Sequence, residues 1–245
     1  MTIRSFLVLG FLFLFLIIFL PVHLVVWLIG LKNPTLKYKI SEKIIHWAFS
    51  CCIWLNGVKI EVINKEVVPE DEPVLYVSNH RSYWDILVLH NTIHKPVGFV
   101  AKIEMEKFPI LNWWMGNIGC IFLDREDPRK GLKAILQGAD YINSGHSMVI
   151  CPEGTRNHKD EMLEFKEGSL KMAQKTKCKI IPVALIGTDD LLEKNPGFRM
   201  RKGKVTVIFG EPFYMSDVPA EHKKTPAAYT QDIIKDMLAK HKENI

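Results

Sequence analysis

The amino-acid sequence predicts an α/β fold with a mixed, largely parallel sheet flanked by helices, and a helical membrane-anchoring motif at the N-terminus. Two observations lead to this prediction. From residue 58 onward, short apolar runs typical of buried strands alternate with segments of helical periodicity, and such alternation is typical of α/β layers. Before that, the stretch from Ser5 to Leu31 contains no Asp, Glu, Lys or Arg.

The uncharged N-terminal segment is long enough to reach across a bilayer. As a helix, Ser5–Leu31 would extend roughly 40 Å, against a hydrocarbon core of about 30 Å. A signal peptide is shorter and is followed by a small-residue cleavage site, so we expect a retained anchor. Pro21 can break a helix and would divide the segment into Phe6–Leu20 and Val22–Leu31. A straight span and a bent hairpin in one leaflet both fit this pattern.

Basic residues follow the anchor and predict its orientation. Glu42 alone opposes the lysines of this region, which are Lys32, Lys37, Lys39 and Lys43. Positive flanks stay on the cytoplasmic side, so we expect the rest of the chain on the cytoplasmic face of the inner or plasma membrane. Thr35–Leu55 has helical spacing and is followed by Gly57. We therefore divide the chain into anchor and docking helices over residues 1–56 and an α/β domain over residues 57–245.

The elements of the α/β domain follow from periodicity and from helix-start signals. The predicted strands are Val58–Ile63, Val74–Ser78, Val97–Ala101, Ile118–Leu123, Ser147–Cys151, Ile180–Ile186 and Val205–Phe209. The predicted helices are Ser82–Asn91, Pro109–Met115, Pro128–Asn143, Lys166–Lys175 and Pro226–Lys240.

Composition limits the kinds of partner and site. A net charge of +5 favours acidic partners such as anionic lipid, phosphate or nucleic acid, and a 48% share of hydrophobic residues suits a membrane-associated protein. The five cysteines form no CxxC pair and no metal-ligand spacing with histidine. We therefore expect reduced thiols and no metal site.

The first of two candidate loops, Asn79–Asp85, contains a histidine and an aspartate. Imidazole titrates near neutral pH and suits the removal of a hydroxyl proton, and a carboxylate on its other nitrogen would fix the tautomer. On one continuous helix His80 and Asp85 would be about 140° apart, so they meet only if the histidine lies in a turn and the aspartate in the first helical turn. Ser82 and Asp85 also match a capping box, and helix capping alone is the simpler interpretation of Asp85.

The second loop, Pro152–Arg156, contains a side chain suited to gripping phosphate. The guanidinium of Arg156 offers planar, paired hydrogen-bond donors. Gly154 lets backbone approach a ligand closely, and Glu153 is expected to bond a substrate hydroxyl or to hold Arg156. A turn with a surface ion pair is the alternative interpretation. Because ligands bind beyond the carboxyl ends of strands in open α/β sheets, we expect both loops at one sheet edge.

Two further cations lie at the ends of predicted strands. Together with Arg156, Lys102 and Arg125 predict a phosphate pocket at the same edge. The sequence has no Gly-x-Ser-x-Gly nucleophile elbow, which disfavours an acyl-serine intermediate. The combination suits direct transfer of an acyl group to the hydroxyl of a phosphorylated alcohol, with His80 as the base.

Four short motifs, in order between residues 58 and 212, resemble those of the 1-acylglycerol-3-phosphate acyltransferase family. The His80–Asp85 loop is similar to the first motif of that family. The residues of this chain that resemble the second motif are Lys102-Ile103-Glu104, Pro109, Gly119 and Phe122–Arg125. The third motif is similar to Pro152–Arg156, with Phe165, Lys166 and Gly168 downstream. The fourth is similar to Ile181-Pro182-Val183.

This resemblance implies a glycerolipid acyltransferase-like fold. It implies acyl transfer from acyl-CoA or acyl-carrier protein to the sn-2 hydroxyl of lysophosphatidic acid, giving phosphatidic acid at a bilayer, without a cofactor, a metal or a nucleic acid partner. His80 would be the base and Asp85 its orienting partner. The residues implied to bind the acceptor are Arg156, on the phosphate, with Glu153, Gly154, Thr155, Lys102 and Arg125.

Three alternatives remain open at this stage. The acceptor could be glycerol 3-phosphate or another lysophospholipid, the reaction could be that of a transacylase, or the chain could bind membrane lipid without turnover. The presence of both His80 and Asp85 argues against the last alternative.

Overall fold

The N-terminal region forms three helices in the computed structural model, which describes residues 1–93, 95–159 and 161–243. These helices are α1 (Ile3–Ile18), α2 (Leu20–Gly30) and α3 (Pro34–Asn56). Pro21 lies in the first turn of α2, where a missing N–H costs no helical hydrogen bond. Gly57, with a φ of 70°, ends α3 in the left-handed conformation that favours glycine.

The break predicted near Pro21 is present, and it falls at Phe19. Helices α1 and α2 meet there at a bend of 52°. Among the described residues, no single helix has both the length and the apolar composition for crossing a bilayer, whereas the bent α1–α2 pair meets that criterion when its halves are combined. Membrane anchoring by this segment therefore stays a prediction.

The sheet is mixed and largely parallel, as the sequence predicts. Its strands are β1 (Val58–Ile63), β2 (Val74–Ser78), β3 (Val97–Lys102), β4 (Ile121–Leu123), β5 (Ser147–Ile150), β6 (Lys179–Ile186) and β7 (Gly203–Phe209). Within the described residues they lie in the order β1-β7-β6-β2-β5-β3-β4. All neighbours are parallel except β6 and β7. Because β2 and β5 are parallel neighbours, the loops that follow them meet at one edge.

Helices cover both faces of the sheet. The remaining ones are α4 (Trp84–Thr92), α5 (Leu111–Asn117), α6 (Pro128–Asn143), α7 (Lys171–Thr176) and α8 (Pro226–Glu243). Alternate residues of β2 point to opposite faces, so Tyr76 belongs to a hydrophobic cluster with residues of α1, α3, α4 and α5, whereas Leu75 belongs to a cluster with residues of α6, α7 and α8. The N-terminal helices thus share one hydrophobic cluster with the sheet.

Several predicted elements differ from those observed in their bounds, and three of the differences have a local backbone cause. The strand predicted from Ile118 begins only at Ile121, because Ile118 closes α5 and Gly119 follows with a φ of 77°. The helix predicted from Pro109 begins at Leu111, because Ile110 has a positive φ of 67°. The helix predicted from Lys166 begins as a 3-10 turn and becomes α7 at Lys171.

Candidate active site

The first loop brings its histidine and aspartate into direct contact. His80 lies in the turn after β2, and Asp85 lies in the first turn of α4. Nδ1 of His80 is 2.8 Å from Oδ2 of Asp85, and the His80 side chain is 19% exposed, whereas that of Asp85 is fully buried. This is the geometry that the spacing predicts. Because Nδ1 is engaged by the carboxylate, Nε2 is the nitrogen left to exchange a proton with a substrate.

Asp85 also holds the backbone of the turn. Its Oδ2 accepts hydrogen bonds from the backbone N–H groups of Arg81, at 2.7 Å, and Ser82, at 2.9 Å. Both lie at the start of α4, where the helix dipole favours a negative charge. The capping and orienting interpretations of Asp85 are therefore compatible, because one carboxylate oxygen does both.

The second loop is fastened to the first through Glu153. This carboxylate is almost fully buried, and its two oxygens accept the backbone N–H groups of His80, at 2.7 Å, and Leu163, at 3.0 Å. Burial raises the pKa of Glu153, and these hydrogen bonds partly oppose the effect. The backbone N–H of Asn157 donates to the His80 carbonyl at 2.8 Å. Glu153 thus positions the backbone of the histidine.

Gly154 and Thr155 form the outer part of the same loop. Gly154 has a φ of 75° and is buried, whereas Thr155 is exposed. A Cβ atom on Gly154 would lie 3.2 Å from the Nζ and Cε atoms of Lys166. Glycine therefore permits both the turn and the close approach of the Lys166 amine.

Arg156 is held beside the start of α4 by two contacts. Its guanidinium carbon lies 3.6 Å from the centre of the Tyr83 ring, and its Nη1 donates to Oε1 of Glu193 at 3.1 Å. The side chain is 28% exposed. The chain therefore brings Arg156 to the same edge as His80, with part of the guanidinium open to solvent.

The partner of Arg156 is Glu193, which sequence reasoning missed. Besides Arg156, it accepts from the Ser82 hydroxyl at 2.5 Å and from the Tyr83 backbone N–H at 3.0 Å. From the sequence, Glu153 is a candidate to hold Arg156, whereas in the structure Glu193 makes this contact.

A second ion pair that sequence reasoning missed lies next to it. Arg81 donates to Oδ2 of Asp189 through Nε and Nη2, at 3.0 and 2.6 Å, and Lys194 lies 3.3 Å from the same oxygen. Burial alone would raise the pKa of Asp189, but these cations outweigh it and hold the pKa below its usual range. Its position in the sequence could have indicated a place in the site, because Asp189 follows the predicted strand Ile180–Ile186 and therefore lies at the same sheet edge.

The two remaining predicted cations differ in their surroundings. Lys102 ends β3, is 55% exposed and pairs with Glu104 at 2.8 Å, so within the described residues no contact ties it to the two loops. Arg125 follows β4 and is half-buried, and its Nε has no hydrogen-bond partner among the described residues. Burial lowers its pKa, and nearby Glu104 and Cys151 oppose that effect. Arg125 therefore lies within electrostatic range of the strand that leads into the second loop.

Together these contacts make a base beside an anion-binding group. The imidazole is oriented by a buried carboxylate, and a partly open guanidinium lies at the same sheet edge. This arrangement can remove a proton from a hydroxyl while a phosphate on the same molecule is held.

Comparison with known proteins places the chain among acyltransferases. The sequence model of the Acyltransferase family matches residues 59–186, which include both loops. A 1-acyl-sn-glycerol-3-phosphate acyltransferase of Haemophilus influenzae is 30% identical over 225 residues, covering 89% of this chain and 88% of that protein. Another, from Chlamydomonas reinhardtii, is 31% identical over 174 residues, or 70% of this chain and 52% of that protein. The match thus spans about half the length of the algal relative.

A solved structure shows the same fold. The crystal structure of the 1-acyl-sn-glycerophosphate (LPA) acyltransferase PlsC from Thermotoga maritima is similar to this chain with a TM-score of 0.78 and 23% sequence identity. The similarity covers 98% of this chain and 97% of the other.

Proposed function

Because the chain belongs to the 1-acyl-sn-glycerol-3-phosphate acyltransferase family, we propose that it transfers an acyl chain from a thioester to the sn-2 hydroxyl of lysophosphatidic acid, giving phosphatidic acid. The donor is acyl-CoA or acyl-carrier protein. The observation that carries the proposal is the contact of 2.8 Å between His80 and Asp85 at the sheet edge that also holds Arg156.

Proton removal and bond formation occur together in this reaction. Nε2 of His80 takes the proton from the sn-2 hydroxyl as that oxygen attacks the thioester carbonyl. Asp85 holds Nδ1–H and stabilises the imidazolium that forms. The tetrahedral intermediate collapses when the C–S bond breaks, and the thiolate leaves with the bonding electrons. The histidine then returns its proton to the thiolate or to solvent.

Direct transfer fits the nucleophiles near the histidine better than an acyl-enzyme. Cys151 precedes the second loop, and burial raises the pKa of its thiol well above the usual range. A protonated thiol in this setting is a poor nucleophile. The substrate hydroxyl is therefore the attacking group.

Arg156 is the proposed phosphate ligand. A guanidinium has five N–H donors, so it can keep its bond to Glu193 and still offer donors to a phosphate oxygen. The half-buried Arg125 adds positive charge to this region. An acceptor held by its phosphate would present its hydroxyl to His80.

Loss of the Arg156 guanidinium tests the phosphate role. In Arg156→Ala, we expect kcat/KM for lysophosphatidic acid to fall about 30–150-fold, the equivalent of about 2–3 kcal/mol for a charge-assisted hydrogen bond. The kcat/KM of Arg156→Lys should lie between that of the wild type and that of Arg156→Ala, since an ammonium keeps the charge and cannot make the paired contact. Steady-state kinetics with lysophosphatidic acid and with monoacylglycerol measure this. Arg129→Ala, an exposed arginine on α6, is the matched control, and an equal loss with monoacylglycerol would contradict the phosphate role.

Helices α1 and α2 are the proposed membrane anchor. Apolar side chains on one face of α1 are exposed, among them Phe6 at 65%, Phe13 at 65% and Ile17 at 50%. Val8 and Phe15 on the opposite face are buried against the rest of the chain. An exposed apolar helix face of this kind suits insertion into a leaflet on the cytoplasmic face.

Changing only the exposed face tests the anchor without removing the buried face. For Phe6→Ser, Phe13→Ser and Ile17→Ser combined, we expect binding to anionic vesicles to weaken more than about 100-fold, because each inserted side chain contributes about 1.5–3 kcal/mol. Vesicle co-sedimentation measures the change, and Leu132→Ser, at an exposed site on α6, is the control. Unchanged sedimentation of the triple variant would place the anchor elsewhere.

One set of acylation assays, with several acceptors and two kinds of thioester donor, distinguishes the acceptor and donor classes. The purified chain should acylate lysophosphatidic acid faster than lysophosphatidylglycerol or glycerol 3-phosphate, with acyl-CoA and acyl-carrier-protein donors compared directly. Acylation without a thioester, using phospholipid as the donor, would instead indicate a transacylase.

A further inference from the structure

His90 on α4 is buried without a hydrogen-bond partner. Its exposed fraction is 0%, and among the described residues neither Nδ1 nor Nε2 has a partner. Buried polar groups in folded proteins are nearly always satisfied, and one that is not points to an ion or water. This histidine lies outside the loops that carry the proposed chemistry.

The His90 ring is held in place by aromatic neighbours. Phe49 of α3 meets it edge-on, with ring centroids 5.2 Å apart, and Phe99 of β3 stacks on it at 6.1 Å. These contacts cover the ring and leave its nitrogens as the atoms that lack partners. A fixed imidazole with free nitrogens is pre-organised as a ligand.

Two side chains of α3 with donor atoms that suit a metal ion lie near His90. Glu42 and His46 are four positions apart on the helix and therefore lie on one face. One ligand atom from each of Glu42, His46 and His90 lies within 4.8 Å of the others. Glu42 and His46 are partly exposed, which leaves a route for an ion to enter.

We propose that Glu42, His46 and His90 form a binding site for a divalent transition metal, with zinc as the best match. Two imidazoles and one carboxylate are a donor set that suits Zn²⁺, with water in the fourth position. Donor atoms around a tetrahedral Zn²⁺ lie about 3.3 Å apart, so the observed cluster closes on an ion through a small side-chain movement. Mg²⁺ and Ca²⁺ prefer oxygen ligands and match this set poorly.

A polar network supports the cluster between α3 and α4. The Ser50 hydroxyl donates to the His46 carbonyl at 2.8 Å, and the Asn91 amide donates to the Ser50 hydroxyl at 3.0 Å. The metal would add a second cross-link between the same two helices. Because Asp85 lies in the first turn of α4, the site is a structural clamp between the N-terminal helices and the helix that carries the catalytic aspartate, and it takes no part in acyl transfer.

Zinc titration of the full-length protein after chelator treatment tests the proposal. By calorimetry we expect one equivalent of Zn²⁺ per chain and no comparable binding of Mg²⁺. His46→Asn and Glu42→Gln, which change partly exposed side chains, should each weaken the Zn²⁺ affinity on the order of 100-fold. His222→Asn, which alters a histidine that packs on Tyr229 outside the cluster, should leave the affinity unchanged.

A spectroscopic measurement distinguishes the cluster from adventitious surface binding. With Co²⁺ in place of Zn²⁺, a tetrahedral site gives strong visible absorption, and this signal should disappear in His46→Asn. Zn²⁺ should also raise the Tm of the wild type and not that of Glu42→Gln. Absence of stoichiometric binding, or equal affinities in the cluster variants and in His222→Asn, would overturn the proposal. These readouts do not depend on acyl transfer, so the site and the proposed activity can fail separately.

Discussion

Replacing His80 with alanine is expected to lower kcat about 10³–10⁴-fold, because the sn-2 hydroxyl would lose its base at the moment of attack. The fold should survive this change. The backbone of His80 is held by Glu153 and Asn157, and neither bond involves the imidazole. After the loss of the ring, Oδ2 of Asp85 would still accept hydrogen bonds from the backbone N–H groups of Arg81 and Ser82, so the buried carboxylate would keep hydrogen-bond partners.

Single-turnover acyl transfer to lysophosphatidic acid measures this loss, and circular dichroism with thermal unfolding checks the fold. His222→Ala is the matched control, since that histidine lies outside both loops. Normal turnover by a folded His80→Ala variant would show that another group removes the proton and would remove the main support for the proposed mechanism.

Local patterns were sufficient to predict most of the fold. The strands Val58–Ile63 and Val74–Ser78 and the helix Pro128–Asn143 were predicted with the observed bounds. Val58–Ile63 alternates apolar and charged residues over its first five positions, and Val74–Ser78 is a largely apolar run. The helix begins with Asp127, whose side chain caps the backbone N–H of Arg129, followed by proline in the first turn. In each case, the signal lies within the element itself.

The elements whose observed bounds differ from the predicted ones depend on backbone dihedral angles that the pattern of apolar residues does not indicate. Residues 118–123 are apolar throughout, yet Gly119 turns the chain and leaves only Ile121–Leu123 to pair with β3. Ile110 adopts a positive φ that a branched side chain rarely takes, so the sequence carried no sign of the late start of α5.

For the candidate site, sequence reasoning predicted the contact of His80 with Asp85 from their local spacing, and the meeting of the two loops from their positions at the ends of predicted strands. It missed Glu193 and the Arg81–Asp189 pair, because these contacts join positions distant in the sequence, and those of Glu193 with Ser82 and Tyr83 and of Arg81 with Asp189 span more than a hundred residues. It also predicted no metal site. The metal site proposed on Glu42, His46 and His90 would depart from that expectation, and its third ligand comes from another helix and shows no local spacing.

Asp85→Asn is expected to lower kcat about 10²–10³-fold with little change in KM, because the imidazolium loses its charged partner. The backbone N–H groups of Arg81 and Ser82 require an oxygen at the Oδ2 position. The amide oxygen of asparagine would therefore take that position and still accept from Nδ1–H of His80. The tautomer is retained, so we expect a smaller loss than the roughly 10⁴-fold that follows when asparagine imposes the wrong tautomer.

A double-mutant cycle separates the catalytic role of Asp85 from its capping role. If Asp85 acts on the reaction through the imidazole, Asp85→Asn should cost little further activity in the His80→Ala background. If it serves only to cap α4, its effect should be the same in both backgrounds and should follow the loss of Tm. The single oxygen that caps the helix also contacts the histidine, so only this non-additivity can assign the loss of activity to the ring.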